Sequence, residues 1–196
     1  MIIHNLPITV EFLGTPESGK TTTIHRLKEV LSKDYRTSIN QESAEILPKN
    51  FHTGSMEGHF WMKLDTIRRI LEKQVSKGDY DVLLIDRGIV DTLFWDYYYG
   101  ATGMLTAKQI SDIKNFFESI GIKYPDLAVF LTTTPEEAIR RRGGEGHLVT
   151  LNFLKEYNSR LQLFMQTLEC PVFQKDTTNC SKDEVVESIL KEFSTL

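Results

Sequence analysis

The chain has 196 residues, of which 40% are hydrophobic and 26% charged, and a formal net charge of −4. Such a composition builds one ordinary globular core, and the acidic balance argues against nucleic acid as a partner, because a broad nucleic-acid footprint is basic. The two cysteines, Cys170 and Cys180, form neither a CxxC pair nor part of a ligand cluster, which excludes a disulfide framework and points to a reducing cytoplasm.

In chain order, "MIIHNLPITVEFLG" lacks the basic and apolar regions of a leader. Within it "PITVEFLG" is apolar and β-branched, stops at Gly14, and reads as a buried strand. Ile24, Leu27, Val30 and Leu31 then recur at helical spacing over 21–31. "YRTSINQE" reads as a weak second strand, and "PKNFHTGSMEGHF", with its Pro, Asn and glycines, as a loop. "WMKLDTIRRILEKQV" is helical. "YDVLLIDRG" is the clearest buried strand, followed by an aromatic helix in "IVDTLFWDYYYG" and an amphipathic one in "TAKQISDIKNFFESIG". "PDLAVFLT" is a further strong strand, and "PEEAIRRR" opens a helix with Pro at its first turn. "GGEG" breaks that helix, "TLNFLKEYNSRLQLFMQTL" forms a long one, and "PVFQKD" is a short last strand. "SKDEVVESILKEF" closes the chain behind a Ser-x-x-Glu capping signal. No run of apolar residues reaches membrane-spanning length. Strands alternate with helices, the pattern of a five-stranded parallel sheet covered on both faces in a three-layer α/β domain spanning 1–196.

The motif that carries chemistry is "GTPESGKT" at 14–21, which fits G-x-x-x-x-G-K-[ST] between a predicted strand and a predicted helix. Glycines let backbone N–H groups close around an anion, and the helix N-terminus adds its partial positive charge. Gly14, Thr15, Pro16, Glu17, Ser18, Gly19, Lys20, Thr21 and Thr22 are therefore the expected nucleotide cradle. Lys20, expected to stand exposed in the free loop, reaches the β and γ phosphates, and the Thr21 hydroxyl holds Mg²⁺. Asp86 ends a buried strand, where an acid sits beside the metal or acts as a base. Arg87 follows at once and is placed to clamp an anionic group of a substrate, with Asp91 beside it on the substrate side. Arg140, Arg141 and Arg142 precede "GGEG" and form a cationic segment near 138–148 that can close as a lid over a transferring phosphoryl group. Glu42, just after the second strand, is the alternative base for a substrate hydroxyl. The stretch "HTGSMEGH" matches no helical zinc spacing and reads as a polar loop.

With these residues in order, the chain resembles the P-loop nucleoside and nucleotide kinases, in particular the thymidylate kinase and deoxynucleoside kinase branch. The likeness rests on "GTPESGKTT", on Glu42, on "DRG" at 86–88, on "TTTPEEAIRRRGGEG" and on "PVFQKDTT". It departs from the thymidylate kinase pattern at Pro16-Glu17, where that family carries an Asp, and at Gly88, where a Tyr or Ser is usual. The resemblance implies the P-loop NTPase fold with a short lid, and an ATP- and Mg²⁺-dependent phosphotransferase acting on a small molecule of the nucleoside or nucleotide kind. GTP remains open as the donor, although no Asn-Lys-x-Asp guanine signal occurs. The alternative is a P-loop ATP- or GTP-binding regulator or ATPase without a small-molecule acceptor. The oligomeric state is left open, with a homodimer among the options.

Overall fold

The structure is a computed structural model that describes residues 6–146, 149–193 and 196, apart from the side chain of Lys77. Residues 1–5, the start of the stretch expected to lack a leader, and His147 and Leu148, the end of the expected lid, lie outside the described residues. The elements run β1 (Ile8–Gly14), α1 (Lys20–Leu31), β2 (Thr37–Asn40), α2 (Met56–Val75), β3 (Val82–Asp86), α3 (Ile89–Ala101) and α4 (Ala107–Ser119). They continue with β4 (Leu127–Thr132), α5 (Pro135–Arg142), α6 (Leu151–Met165), β5 (Val172–Asp176) and α7 (Lys182–Phe193). The five strands form one parallel sheet in the order β2-β3-β1-β4-β5.

The side-chain period of two along each strand divides the core into two layers. Ile8, Val10 and Phe12 of β1, with Leu127, Val129 and Leu131 of β4, face Ile24, Leu27 and Leu31 of α1 and Val185, Val186, Ile189 and Phe193 of α7. The alternate residues Leu13, Ala128 and Phe130 face Val90 and Phe94 of α3 and Tyr157, Leu161 and Phe164 of α6. β1, β3 and β4 are covered on both faces and read as near-continuous apolar runs for that reason. β5 lies at the sheet edge and is more polar. Ser181 and Glu184 exchange the two backbone bonds of a capping box (3.3 and 2.7 Å), as the Ser-x-x-Glu signal predicts. One segment differs from expectation: α2 begins inside "PKNFHTGSMEGHF", because Ser55 caps it by accepting the Gly58 N–H at 3.0 Å. Among the described residues no helix is long and apolar enough to cross a membrane.

The layering predicts unequal costs for one chemical change. Leu84→Ala, at a fully buried position of β3, is expected to lower stability by about 2–5 kcal/mol. Leu64→Ala, on the exposed side of α2, is expected to change it by about 0.5 kcal/mol or less. Urea unfolding of both variants checks this, and equal losses would contradict the assignment of faces.

Candidate active site

The chain leaves β1 toward β2 and β3 on one side and crosses to β4 and β5 on the other, so the carboxyl edge of the sheet opens a crevice beside β1. Phe12 pairs with Asp86 and Gly14 with Leu131, which brings the loops after β1, β3 and β4 to one level. Gly14 has φ +135, and a Cβ there would lie 1.9 Å from the Leu131 carbonyl oxygen, so only glycine fits. The turn then passes through Glu17 and Gly19, both with positive φ (61 and 89). No side chain caps α1. Its first-turn N–H groups lack acceptors within the helix, and together with the dipole they form an anion cradle at Gly19–Thr22.

The loop is held from several sides. The Tyr157 hydroxyl donates to the Gly14 carbonyl at 3.1 Å. Thr15 Oγ1 donates to Asn158 Oδ1 at 2.7 Å, and Asn158 Nδ2 to the Thr133 carbonyl at 2.9 Å. Thr177 Oγ1 donates to the Ser18 carbonyl at 3.0 Å. Arg141 bridges the Glu17 carbonyl (3.1 Å) and the Thr177 carbonyl (2.6 Å).

Lys20 differs from the sequence expectation. It is buried, and its Nζ donates to the carbonyls of Gly14 (3.2 Å) and Thr15 (2.8 Å). Burial, reinforced by the charge of Arg87, pushes its ammonium down to about 7. Beside it Thr21 Oγ1 donates to Asp86 Oδ2 at 2.7 Å, while Asp86 Oδ1 is buried without a hydrogen-bond partner. A buried carboxylate oxygen left unmatched beside a hydroxyl suits a hard cation. Among the described residues no cluster of three or more His, Cys, Asp or Glu could cage a metal. The Thr21–Asp86 pair therefore fits Mg²⁺ in its usual manner, held by few protein oxygens together with phosphates and water.

Arg87 stands between β3 and α3 with φ 58, a left-handed conformation that only surrounding structure can impose on a non-glycine residue. Its N–H donates to the Phe12 carbonyl at 3.0 Å. Its Nε lies 2.9 Å from Glu42 Oε1 as an ion pair, and its Nη1 donates to Asp91 Oδ1 at 2.8 Å. Underneath, the fully buried carboxylate of Glu11 accepts the N–H groups of Gly88 (2.9 Å), Val90 (3.1 Å) and Asp91 (2.8 Å). Glu11 thus caps α3 from the neighbouring strand. Burial pushes it up to about 7 against the pull of those three donors. A Cβ on Gly88 would meet Glu11 Oε2 at 2.7 Å, which is why glycine follows Asp-Arg in this chain.

No family model matches the chain. It is 29% identical over 137 residues to a thymidylate kinase of Staphylococcus haemolyticus, covering 65% of this chain and 65% of that protein. It is 26% identical over 150 residues to a thymidylate kinase of Caldanaerobacter subterraneus, covering 69% of each. The matched stretch thus spans about two thirds of the length of these relatives. The fold matches that of deoxyadenosine kinase from M. mycoides with bound dATP, with a TM-score of 0.69, 16% identity, and 94% and 98% of the two chains covered. The same enzyme with products dCMP and dCDP gives 0.71 at 16% identity, covering 96% and 100%. The chain is thus similar in sequence to thymidylate kinases and in fold to a deoxyadenosine kinase.

A cavity of about 560 Å³ opens beside the P-loop and is bounded by Pro16, Glu42, Arg87, Asp91 and Arg142. Its apolar walls come from α3 and α6, chiefly Trp95, Tyr98, Tyr99 and Phe153. Of the expected site residues, the P-loop, Glu42, Asp86, Arg87 and Asp91 meet at one place. The three arginines separate. Arg140 is 74% exposed, paired with Glu137, and is not brought to the cavity. Arg141 is the strut described above. Arg142 lines the cavity, 3.6 Å from Glu17 Oε1. The roles of Glu11, Tyr157, Asn158 and Thr177 are not among the sequence expectations, nor is a buried His59–Lys63–Asp96 cluster, whose His59 belongs to the stretch expected as a polar loop. A lone acid inside the apolar run "ITVEFLG" was the available signal for Glu11.

Two outcomes follow from these contacts. Glu11→Ala is expected to lower stability by about 3 kcal/mol or more, since it strands three buried N–H donors, and Glu11→Gln by less. A loss under about 1 kcal/mol for the alanine variant in urea unfolding would contradict the cap. In the protein alone Lys20 is charged below about 7 and neutral above it. A bound triphosphate favours the charged form, so nucleotide binding takes up a proton at about pH 8 and little at about pH 6. Affinity accordingly falls as pH rises above 7. Calorimetry without divalent metal, in buffers of different ionisation enthalpy, measures the uptake, and Lys20→Met removes it. Proton-neutral binding at about pH 8 would contradict the assignment.

Proposed function

We propose that the protein is an ATP- and Mg²⁺-dependent kinase that phosphorylates a hydroxyl of a small, nucleoside-like acceptor in the cytoplasm. The observation that carries this reading is the junction of two half-sites. The P-loop cradle with Thr21 and Asp86 meets a cavity whose mouth holds Glu42, Arg87 and Asp91. In this reading the acceptor oxygen forms a bond to the γ-phosphorus, and the bond from that phosphorus to the β–γ bridging oxygen breaks. The hydroxyl proton passes to the Glu42 carboxylate, and ADP is the leaving group. Lys20 and the loop N–H groups stabilise charge on the transferring group. Thr21 and Asp86 would hold Mg²⁺, which neutralises phosphate charge when bound. Glu42 is the better base because it lines the acceptor cavity, whereas Asp86 does not.

Charge bookkeeping favours a hydroxyl over a second phosphate as the acceptor. Each cation lining the cavity already faces a carboxylate: Arg87 faces Glu42 and Asp91, Lys63 faces Asp96, and Arg142 faces Glu17. A monophosphate would add charge that none of them is free to match, whereas a neutral nucleoside adds none.

Glu42→Gln tests the reading. It is expected to lower acceptor-stimulated ADP formation by about 10²–10⁴-fold while ATP affinity stays within about threefold. Coupled-enzyme assay and fluorescent ATP-analogue binding read the two quantities. Unchanged turnover would remove Glu42 as the base.

A further inference from the structure

His59 and Lys63 line the acceptor cavity, and neither they nor Asp96 behind them has a part in the transfer just described. α2 carries His59 and Lys63 four residues apart, hence on one face. Both are buried and both line the cavity. Asp96 of α3 binds them with a single oxygen: Oδ1 accepts from Lys63 and lies 3.1 Å from His59 Nε2. The Lys63 and Asp96 side chains are 5% and 1% exposed. A carboxylate has no proton to give, so the His59 ring nitrogen is the donor. The His59 ring stands edge-on to Tyr99 at 4.8 Å, and Lys63 Nζ lies 5.2 Å from the Phe60 ring centre. Both side chains are therefore oriented by packing as well as by Asp96.

An ammonium carries three donors. Among the described residues Asp96 is the hydrogen-bond partner of Lys63, which leaves donors for the cavity. Burying an ammonium in an aromatic wall is costly, and the same shape could be filled by apolar residues. Asp96 lies five residues beyond Asp91 on α3, on a different face of the helix and about 7.5 Å along its axis. That is the reach from the primary hydroxyl of a pentose to the ring it carries. Trp95 and Tyr99 stand on the same stretch and offer flat apolar surface to such a ring.

We propose that Lys63, held by Asp96 and His59, is a specificity-determining residue that donates to a carbonyl oxygen on the outer edge of the acceptor's ring. The protein thereby selects an oxo-bearing base over one that presents an amino group at that edge. The proposal rests on the kinase reading for the position of the hydroxyl, and on the cluster itself for the preference. An amino group at that edge would set donor against donor, and the buried ammonium would lose its partner.

Deoxyuridine and deoxycytidine are the probes, because their rings differ at that edge. Calorimetric binding to the wild-type protein is expected to favour deoxyuridine by at least about tenfold. The Lys63→Met, Asp96→Asn double variant leaves no unpaired charge and is expected to bring the ratio within about threefold. Equal or tighter binding of deoxycytidine by the wild type, or no detectable binding of either, would overturn the proposal. So would a preference that survives in the double variant. ADP formation measured alongside separates the two claims. Equal binding and equal phosphorylation of both nucleosides would leave the kinase reading intact and remove this one. A binding preference without ADP formation from any nucleoside would remove the kinase reading and leave this one standing.

Discussion

The site depends on one half-buried arginine. Arg87 leaves β3 in a left-handed conformation with its guanidinium between Glu42 and Asp91. A guanidinium whose Nε is shut off from solvent must be matched, and removing one partner of such a group strands the other. Glu42 belongs to the segment after β2, Asp91 to α3 and Arg87 to the end of β3, so satisfying one cation brings three segments to one point. Glu11 makes the arrangement possible from below. Its carboxylate takes the first N–H groups of α3 and crowds the space a side chain at residue 88 would need.

The P-loop is built by a different device. Positive backbone dihedrals at Gly14, Glu17 and Gly19 curl the loop around an anion site, and its outer contacts to Tyr157, Asn158, Thr177 and Arg141 prevent it from relaxing. Preorganised donors of this kind need not reorient when charge develops on a phosphoryl group. Lys20, drawn in among carbonyls, and Asp86, with one oxygen unmatched, are the two groups whose environment a nucleotide with its metal would most improve.

Much of this was legible in the sequence where the information is local. The P-loop spacing, the alternation of apolar strands with amphipathic helices, and Asp86 at the end of "VLLID" need no partner to be read. The rest depends on tertiary register. Glu11 acquires its role only because Phe12 pairs with Asp86, which sets its carboxylate under the start of α3. His59 looked like part of a polar loop until Ser55 started a helix ahead of it and turned it toward Asp96. The arginines of α5 are adjacent in sequence but diverge in space, because Glu137 lies three residues before Arg140 and four before Arg141 and draws on both. Lys20 was expected in solvent because a motif says what a side chain can reach, whereas its burial is decided by the folded loop.

The central claim is that the acceptor cavity, its cations already matched by carboxylates, takes a neutral hydroxyl in line with the P-loop. The most direct measurement is the rate of phosphoryl transfer from ATP to deoxyuridine and, separately, to its monophosphate, with products identified by phosphorus NMR. The account predicts a kcat/KM for the nucleoside at least about tenfold above that for the monophosphate. Preferential phosphorylation of the monophosphate would contradict it.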